Sequence, residues 1–346
     1  MYTQYLDYDG HALITSRFDG RSGLAALIAI HNDSRGPAIG GCRIIDYPSF
    51  DAAMTDVLRL SRGMTYKTAI ADIPYGGGKA VIIADPAKHK TAMLLEAFGD
   101  FVESLQGRYI TSFDSGTTLA DIEKIGTRTS FAAGTLAEAG NASGSTALGL
   151  YYCMQAAAEM VHGSSDLSRM TIAIQGVGNV GRRLAERLAS DGAMLIIADA
   201  DEARAREVAN TIGASWVPKD KIACARADIF APCALGAILS SESIPSLGAR
   251  IVVGGANNQL ATTDCDNLLF ERGILYCPDY LANAGGIIDL HYQRSVWSAR
   301  AVDLHVGRLA DTFREVVNRS RAEGRGTAAV TDQIACERFG VAPRRP

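Results

Sequence analysis

Gln175-Gly176-Val177-Gly178-Asn179-Val180-Gly181 is the stretch on which the fold turns. Its spacing is G-x-G-x-x-G. Glycine is common, so the pattern alone is weak, and its setting is what makes it informative. Residues 170–175 form an apolar run that reads as a strand, and 179–191 read as a helix. Residues 194–198 form the next strand, which ends at Asp199, eighteen positions after Gly181. Strand, glycine turn, helix, strand and acid in this order make up half of a dinucleotide-binding unit. Gly176 permits the tight turn, Gly178 lets a pyrophosphate approach the backbone, and Gly181 lets the helix pack on the strand. Asn179 and Val180 open the helix, whose N-terminus faces the phosphates. Asp199 would accept hydrogen bonds from ribose hydroxyls and repel a 2′-phosphate, which favours NAD over NADP. Arg204 and Arg206 lie close enough in sequence to leave NADP use open. The bland alternative is a glycine-rich turn with no ligand.

Working outward, strand and helix patterns keep alternating. Strands are expected at 228–231, 250–254 and 273–276, and a helix at 202–212. This rhythm argues for a parallel, doubly wound sheet. Past Asn283 the pattern is mostly helical. Upstream, 11–46 read as strands and turns. Ser49 then caps a helix in which Met54, Val57, Leu58 and Met64 share a face and Lys67 lies near the C-terminal end. A buried strand is expected over 80–84, a helix over 91–105, a strand over 108–112, and another helix from Leu119. Small and polar residues accumulate at 134–144, ahead of an Ala-rich helix at about 145–162. The fold class is thus α/β with two domains separated by a cleft. Residues 1–138 form an N-terminal α/β substrate and oligomerisation domain, and 139–324 a Rossmann-type domain binding NAD. Residues from about 325 to 346 are expected to pack back on the first.

Bulk composition excludes several classes. The chain has 346 residues, 47% hydrophobic and 21% charged, with a net charge of −4. That is enough for about two domains and lacks the basic face that nucleic acid needs. Seven cysteines without a C-x-x-C read as reduced thiols in a cytoplasmic protein, and the six histidines show no metal-ligand spacing. The N-terminus does not read as a signal peptide, and no run is long enough to span a membrane.

The chemistry is expected from Lys67, Lys79 and Asp114. Lys79 follows Gly76-Gly77-Gly78 and opens an apolar run, so it can lie on the floor of a site. One lysine can clamp a substrate carboxylate. The other, made a better base by burial and a neighbouring cation, can take a proton from an amine or water. Asp114, just past a strand, could carry protons to or from an amino group. The competing readings are solvated surface lysines and a turn aspartate.

Gly36-Pro37-Ala38-Ile39-Gly40-Gly41-Cys42-Arg43, Gly63-Met64-Thr65-Tyr66-Lys67 and Gly76-Gly77-Gly78-Lys79 resemble segments of the glutamate/leucine/phenylalanine/valine dehydrogenases. So do Ala231-Pro232-Cys233-Ala234-Leu235-Gly236, Gly255-Ala256-Asn257-Asn258-Gln259-Leu260 and Asn283-Ala284-Gly285-Gly286. The resemblance runs in order over nearly the whole chain. It implies reversible oxidative deamination of an L-amino acid to a 2-oxo acid and ammonia, with NAD as hydride acceptor. It makes Lys67 the carboxylate clamp, helped by Gly40 and Gly41, Lys79 the activator of water, and Asp114 the proton partner of the amino nitrogen. Asn257 and Asn258 would touch the nicotinamide end and the substrate, and Thr146 would lie near the carboxamide. Cys233, Ala234, Leu235 and Asn283 would line the cofactor's place. Ile39, Ser112, Ile287 and Leu290 would surround the substrate side chain. None of these four is charged, which disfavours glutamate and points to a branched-chain or aromatic amino acid. Relatives of this kind are homo-oligomers.

Two positions depart from the family pattern. Ser115 replaces the usual valine after the aspartate, and Phe113 precedes it. They keep open a catalytically silent NAD-binding sensor or scaffold. A dehydrogenase of another small carboxylate is the other alternative, though it should lack the paired lysines and Asp114.

Overall fold

A computed structural model describes residues 2–136, 142–234 and 236–340. These fall into two units. One comprises residues 2–136 with Gln293–Val296 and 338–340, the other 142–292 with Trp297–Glu337. The expected boundary at 138/139 lies outside the described residues, as does Leu235.

The first unit contains β1 (Leu13–Asp19), β2 (Leu24–Asn32), β3 (Ala38–Ile45), α1 (Phe50–Ile70), β4 (Gly76–Ile83), α2 (Ala92–Glu103), β5 (Tyr109–Phe113) and α3 (Leu119–Gly126). The strands form one mixed sheet in the order β1-β2-β4-β3-β5, with β3 parallel to both β4 and β5. Period-2 alternation divides its side chains between two cores. Ile28, Ile30, Cys42, Ile44, Ala80 and Ile82 pack with Leu94, Phe98, Tyr109 and Ile122 on one face. Leu27, Ala29 and Val81 pack with Met54, Val57 and Leu58 of α1 on the other. As expected, Ser49 caps α1, its side chain accepting from Ala52 N at 3.1 Å.

β4 starts at Gly76, four residues earlier than the expected strand, because glycine's absent side chain hides the alternation on which that expectation rested. These glycines also make room for close neighbours. A Cβ on Gly77 would fall 1.9 Å from Thr65 N of α1, and one on Gly78 2.8 Å from the Tyr109 ring. The glycine run thus seats the last turns of α1, including Lys67, against the sheet. Gly77→Ala is expected to destabilise the protein by roughly 3 kcal/mol or more, because a backbone nitrogen cannot move aside as a side chain can. Urea unfolding checks this; an unchanged midpoint would contradict the close contact.

The second unit contains α4 (Ser143–His162), β6 (Thr171–Gln175), α5 (Asn179–Ser190), β7 (Met194–Ala198), α6 (Glu202–Ile212), β8 (Ser215–Trp216), β9 (Ile229–Pro232), β10 (Ile251–Val252), α7 (Asp264–Glu271), β11 (Leu275–Tyr276), α8 (Asp279–Ala282), α9 (Gly285–Gln293), α10 (Ala299–Glu323) and α11 (Thr327–Phe339). The strand order is β11-β10-β9-β6-β7-β8, and every pairing is parallel. The order reverses between β6 and β9, the doubly wound arrangement the fingerprint predicts. The two-residue β8, the eight-residue α7 and the four-residue α8 have no counterpart in the sequence reading; β8 and α8 are too short to show a period. Among the described residues no helix is long and apolar enough to cross a membrane.

Candidate active site

In the first unit, alternation along three neighbouring strands puts a set of chemically able residues on one face. Cys42 of β3, Ala80 of β4 and Tyr109 of β5 belong to the core shared with α2. Ile39, Gly41, Arg43, Lys79 and Ser112 occupy the alternate positions, on the side of the sheet that α1 covers. In register, Gly41 pairs with Ser112, and Cys42 with both Ala80 and Phe113. Lys67 is half-buried in the last turn of α1, on this same side.

Lys79 is 7% exposed, and its Nζ forms an ion pair with Asp114 Oδ2. Arg43 Nε approaches the same oxygen at 3.4 Å, while its Nη1 binds Asp56 Oδ2 of α1 at 2.9 Å. Tyr47 donates its hydroxyl to that Asp56 oxygen at 2.6 Å. Asp114 Oδ1 accepts from Ser115 N at 2.7 Å, and Thr117 Oγ1 holds the loop by accepting from Asp114 N at 2.8 Å. Burial opposes ionisation of Asp114, but the Lys79 and Arg43 charges outweigh it and hold its pKa down at about 2. The carboxylate is therefore charged at neutral pH. A Cβ on Gly41 would lie 2.8 Å from Asp114 Cβ, so this glycine leaves the space the aspartate fills. Gly40 is constrained differently: its Cβ would strike Gly78 O at 1.8 Å, and its carbonyl accepts from Tyr109 Oη at 2.9 Å.

Ile39 is fully buried, and Ser112 is 4% exposed, its hydroxyl having no hydrogen-bond partner among the described residues. Phe113 is exposed at the end of β5. Ser115 reaches the carboxylate through its backbone N–H at 2.7 Å, which a valine would supply equally, and more distantly through its hydroxyl at 3.5 Å, which a valine would not. Sequence reading missed Arg43 as more than a signature residue, and missed Asp56 entirely. Only the third dimension brings Arg43 onto Asp114 and Asp56 onto Arg43.

In the second unit the fingerprint has the expected geometry. Gly176 has φ +94°, in the left-handed region, and a Cβ there would meet Ala234 Cβ at 2.7 Å. A Cβ on Gly181 would strike Gly176 O at 1.9 Å, and one on Gly178 meets nothing within 4 Å. Gly178 caps α5 without a side-chain hydrogen bond, so the helix N-terminus faces open space. This is a cradle that fits a diphosphate. Asn179 is exposed and Val180 half-buried in the first turn of α5. Val180 Cγ1 lies 3.1 Å from where a Gly255 Cβ would be.

Asp199 accepts from Val177 N at 2.8 Å on Oδ2, and from Asp201 N at 2.9 Å and Arg204 Nη2 at 2.6 Å on Oδ1. Burial works against its charge, but Arg204 and the two backbone N–H groups prevail and lower its pKa. Cys233 is half-buried, and burial pushes its thiol up to about 11, so it lines the turn as a small apolar group and not as a nucleophile. Ala234 is exposed beside Gly176.

Asn283 is buried and donates from Nδ2 to Asn257 Oδ1 at 2.8 Å. Asn258 is exposed with φ +53°, and its N–H is held by Asp279 Oδ2 at 2.6 Å. Thr146 Oγ1 donates to Ala142 O at 2.9 Å. Gly285 and Gly286 press on this turn, since Cβ atoms there would lie 1.9 Å from Ser145 O and 2.7 Å from Thr146 Oγ1. Ile287 and Leu290 follow on α9, 6% and 8% exposed. Between them Asp289, which sequence reading passed over, accepts from Ser145 Oγ at 2.6 Å and Trp297 Nε1 at 3.1 Å, fixing α9 to α4. The expected residues thus form two sets: Lys79, Asp114, Gly40, Gly41, Ile39, Ser112 and Lys67 in the first unit, and the remainder in the second.

Comparison with known proteins accords with this arrangement. The pattern of the Glu/Leu/Phe/Val dehydrogenase dimerisation domain matches residues 14–130. That of Glutamate/Leucine/Phenylalanine/Valine dehydrogenase matches residues 140–203 and 196–339. The chain is 40% identical to the leucine dehydrogenase of Bacillus cereus over 339 residues, covering 97% of this chain and 93% of that protein. It is 46% identical to the phenylalanine dehydrogenase of Lysinibacillus sphaericus over 288 residues, covering 81% and 76%. The crystal structure of L-tryptophan dehydrogenase from Nostoc punctiforme superposes with a TM-score of 0.84 at 40% identity, covering 96% of each chain. These matches extend over both units, and the chain belongs to the Glu/Leu/Phe/Val family of amino-acid dehydrogenases.

Proposed function

We propose that this protein carries out the reversible, NAD-dependent oxidative deamination of a hydrophobic L-amino acid, branched-chain or aromatic, to its 2-oxo acid and ammonia. The observation that carries this reading is the buried Lys79–Asp114 ion pair beside Gly41, with Arg43 fixing the carboxylate. On this reading the first unit is the substrate domain and the second the nucleotide domain. The relatives named for leucine, phenylalanine, valine and tryptophan support a hydrophobic substrate. So does a side-chain set, Ile39, Ser112, Ile287 and Leu290, that offers no cation to a second carboxylate. Subunit association is part of the proposal, in keeping with the dimerisation-domain match.

The dinucleotide would be held by Gly176, Gly178, Gly181 and Asp199, and when bound it supplies the hydride acceptor. The chain's own residues do the rest. Lys67 binds the substrate carboxylate as a fixed charge. Asp114, ionised at neutral pH, takes a proton from the substrate ammonium, which leaves the amine electron pair free. Lys79 Nζ, once it has released its own proton to solvent, takes a proton from the water that adds to the imino carbon. Asp114 returns its proton to the departing nitrogen, the hydroxyl of the adduct gives its proton to solvent as the C=O forms, and ammonia leaves. Ser115 N and Thr117 keep Asp114 in place throughout.

A panel of L-amino acids with NAD⁺, and of 2-oxo acids with NADH and ammonium, tests the reading by absorbance of the reduced nicotinamide. Turnover is expected with at least one of leucine, valine, phenylalanine or tryptophan, and glutamate should be poor. NAD⁺ binding with no turnover of any amino acid would instead favour a silent sensor.

A further inference from the structure

Asp199 is the residue on which dinucleotide choice depends, and in this chain most of its hydrogen-bonding capacity is already taken. A carboxylate offers about four lone-pair sites, two on each oxygen. Oδ1 accepts from Asp201 N and Arg204 Nη2, and Oδ2 accepts from Val177 N. About one site is left, whereas the two hydroxyls of an unphosphorylated ribose need two. Arg204 is the only side chain among these donors; the other two are backbone groups that cannot withdraw.

The pairing of the neighbouring charges points the same way. Between residues 199 and 206 the carboxylates are Asp199, Asp201 and Glu202, and the guanidinium groups are those of Arg204 and Arg206. Arg206 is engaged elsewhere, paired with Glu202 at 2.6 Å and lying over the Trp216 ring at 3.7 Å from its centroid. Asp201 caps α6 by accepting from Arg204 N at 3.1 Å. Among the described residues Arg204 is the one side-chain cation paired with Asp199; it offsets that charge and remains 46% exposed with donors to spare. A carboxylate at this place ordinarily repels a 2′-phosphate, and a neighbouring arginine accommodates one.

We propose that Arg204 is a specificity-determining residue at the cofactor's adenosine ribose. It competes with the ribose hydroxyls for Asp199 and offers its guanidinium to a 2′-phosphate, so that the chain binds NADP⁺ alongside NAD⁺. This rests on the dinucleotide reading of the Gly176–Gly181 turn and extends it to a second ligand.

The test is equilibrium binding of NAD⁺ and NADP⁺ to the full-length protein without amino acid, by isothermal titration calorimetry, for the wild type, Arg204→Ala and Arg204→Lys. The wild-type Kd for NADP⁺ is expected within about tenfold of that for NAD⁺. Arg204→Ala should widen the ratio by a further tenfold or so, because a charge-assisted hydrogen-bond set to phosphate is lost while Asp199 is freed for the ribose. NAD⁺ binding should stay level or tighten, and Arg204→Lys should restore part of the NADP⁺ affinity. An unchanged ratio in Arg204→Ala, equal weakening of both ligands, or a wild type that takes NAD⁺ alone would overturn the proposal. A wild type that binds neither would overturn it together with the dinucleotide reading.

Discussion

Lys79→Ala is expected to lower turnover by roughly 10²- to 10⁴-fold, the range over which a positioned acid or base contributes. The variant should fold. Asp114 keeps Arg43 on Oδ2 and Ser115 N on Oδ1, so no buried carboxylate is stranded without a partner. Nor should it lose dinucleotide affinity, because the residues proposed to hold the dinucleotide belong to the other unit. The measurements are kcat, KM and the Kd for NAD⁺ side by side. A fall in kcat with intact NAD⁺ binding fits a group that acts on the reacting atoms. A rise in KM with normal kcat would make Lys79 a second carboxylate clamp and move the proton chemistry to Asp114. Near-normal kcat and KM would remove Lys79 from the mechanism.

Much of this was legible in the sequence because it is local. The fingerprint lies within one strand–turn–helix, and each glycine has a conformational or steric reason that a one-dimensional pattern captures. Gly176 needs positive φ, Gly181 tolerates no Cβ, and Gly178 faces open space. The sidedness of the first unit was partly legible as well, since Lys79 and Val81 alternate with Ala80 and Ile82.

The glycines before Lys79 had a less legible purpose. Their role is to admit α1 and the Tyr109 ring, contacts made across 12 and 31 residues of sequence. The chain of contacts leading from Asp114 through Arg43 and Asp56 to Tyr47 was hidden for the same reason. Arg43, Asp56 and Tyr47 come from β3, α1 and the connection between them, and only sheet order makes β3 the neighbour of β5. The departure at Ser115 loses most of its force because the short bond to the carboxylate comes from the backbone, and the hydroxyl adds only a 3.5 Å contact. Phe113 is in register with Cys42, on the face of the sheet opposite Lys79, and is exposed, so it does not disturb the ion pair.

Asp114→Asn is expected to do more damage than Lys79→Ala, and of a different kind. Turnover should fall by a comparable 10²- to 10⁴-fold, because an amide cannot carry the proton to and from the substrate nitrogen. Stability should fall too. The carboxylate faces two cations, and its loss leaves Lys79 buried without a counter-charge while Arg43 retains only Asp56. Removing one partner of a buried pair costs roughly 3 kcal/mol or more, whereas Lys79→Ala leaves every remaining charge paired. The difference should also depend on pH in a definite direction. The Asp114 pKa is held down at about 2, so its contribution to stability is complete above the ordinary aspartate value of about 4 and is lost as pH falls toward 2. Urea midpoints of wild type and Asp114→Asn should therefore lie apart at neutral pH and converge as the solution is acidified through that window. Other carboxylates titrate in both proteins and cancel in the comparison. A gap that stays constant down to pH about 2 would mean that the ion pair does not set the stability of this site, and that Asp114 is held by Ser115 N and Thr117 alone.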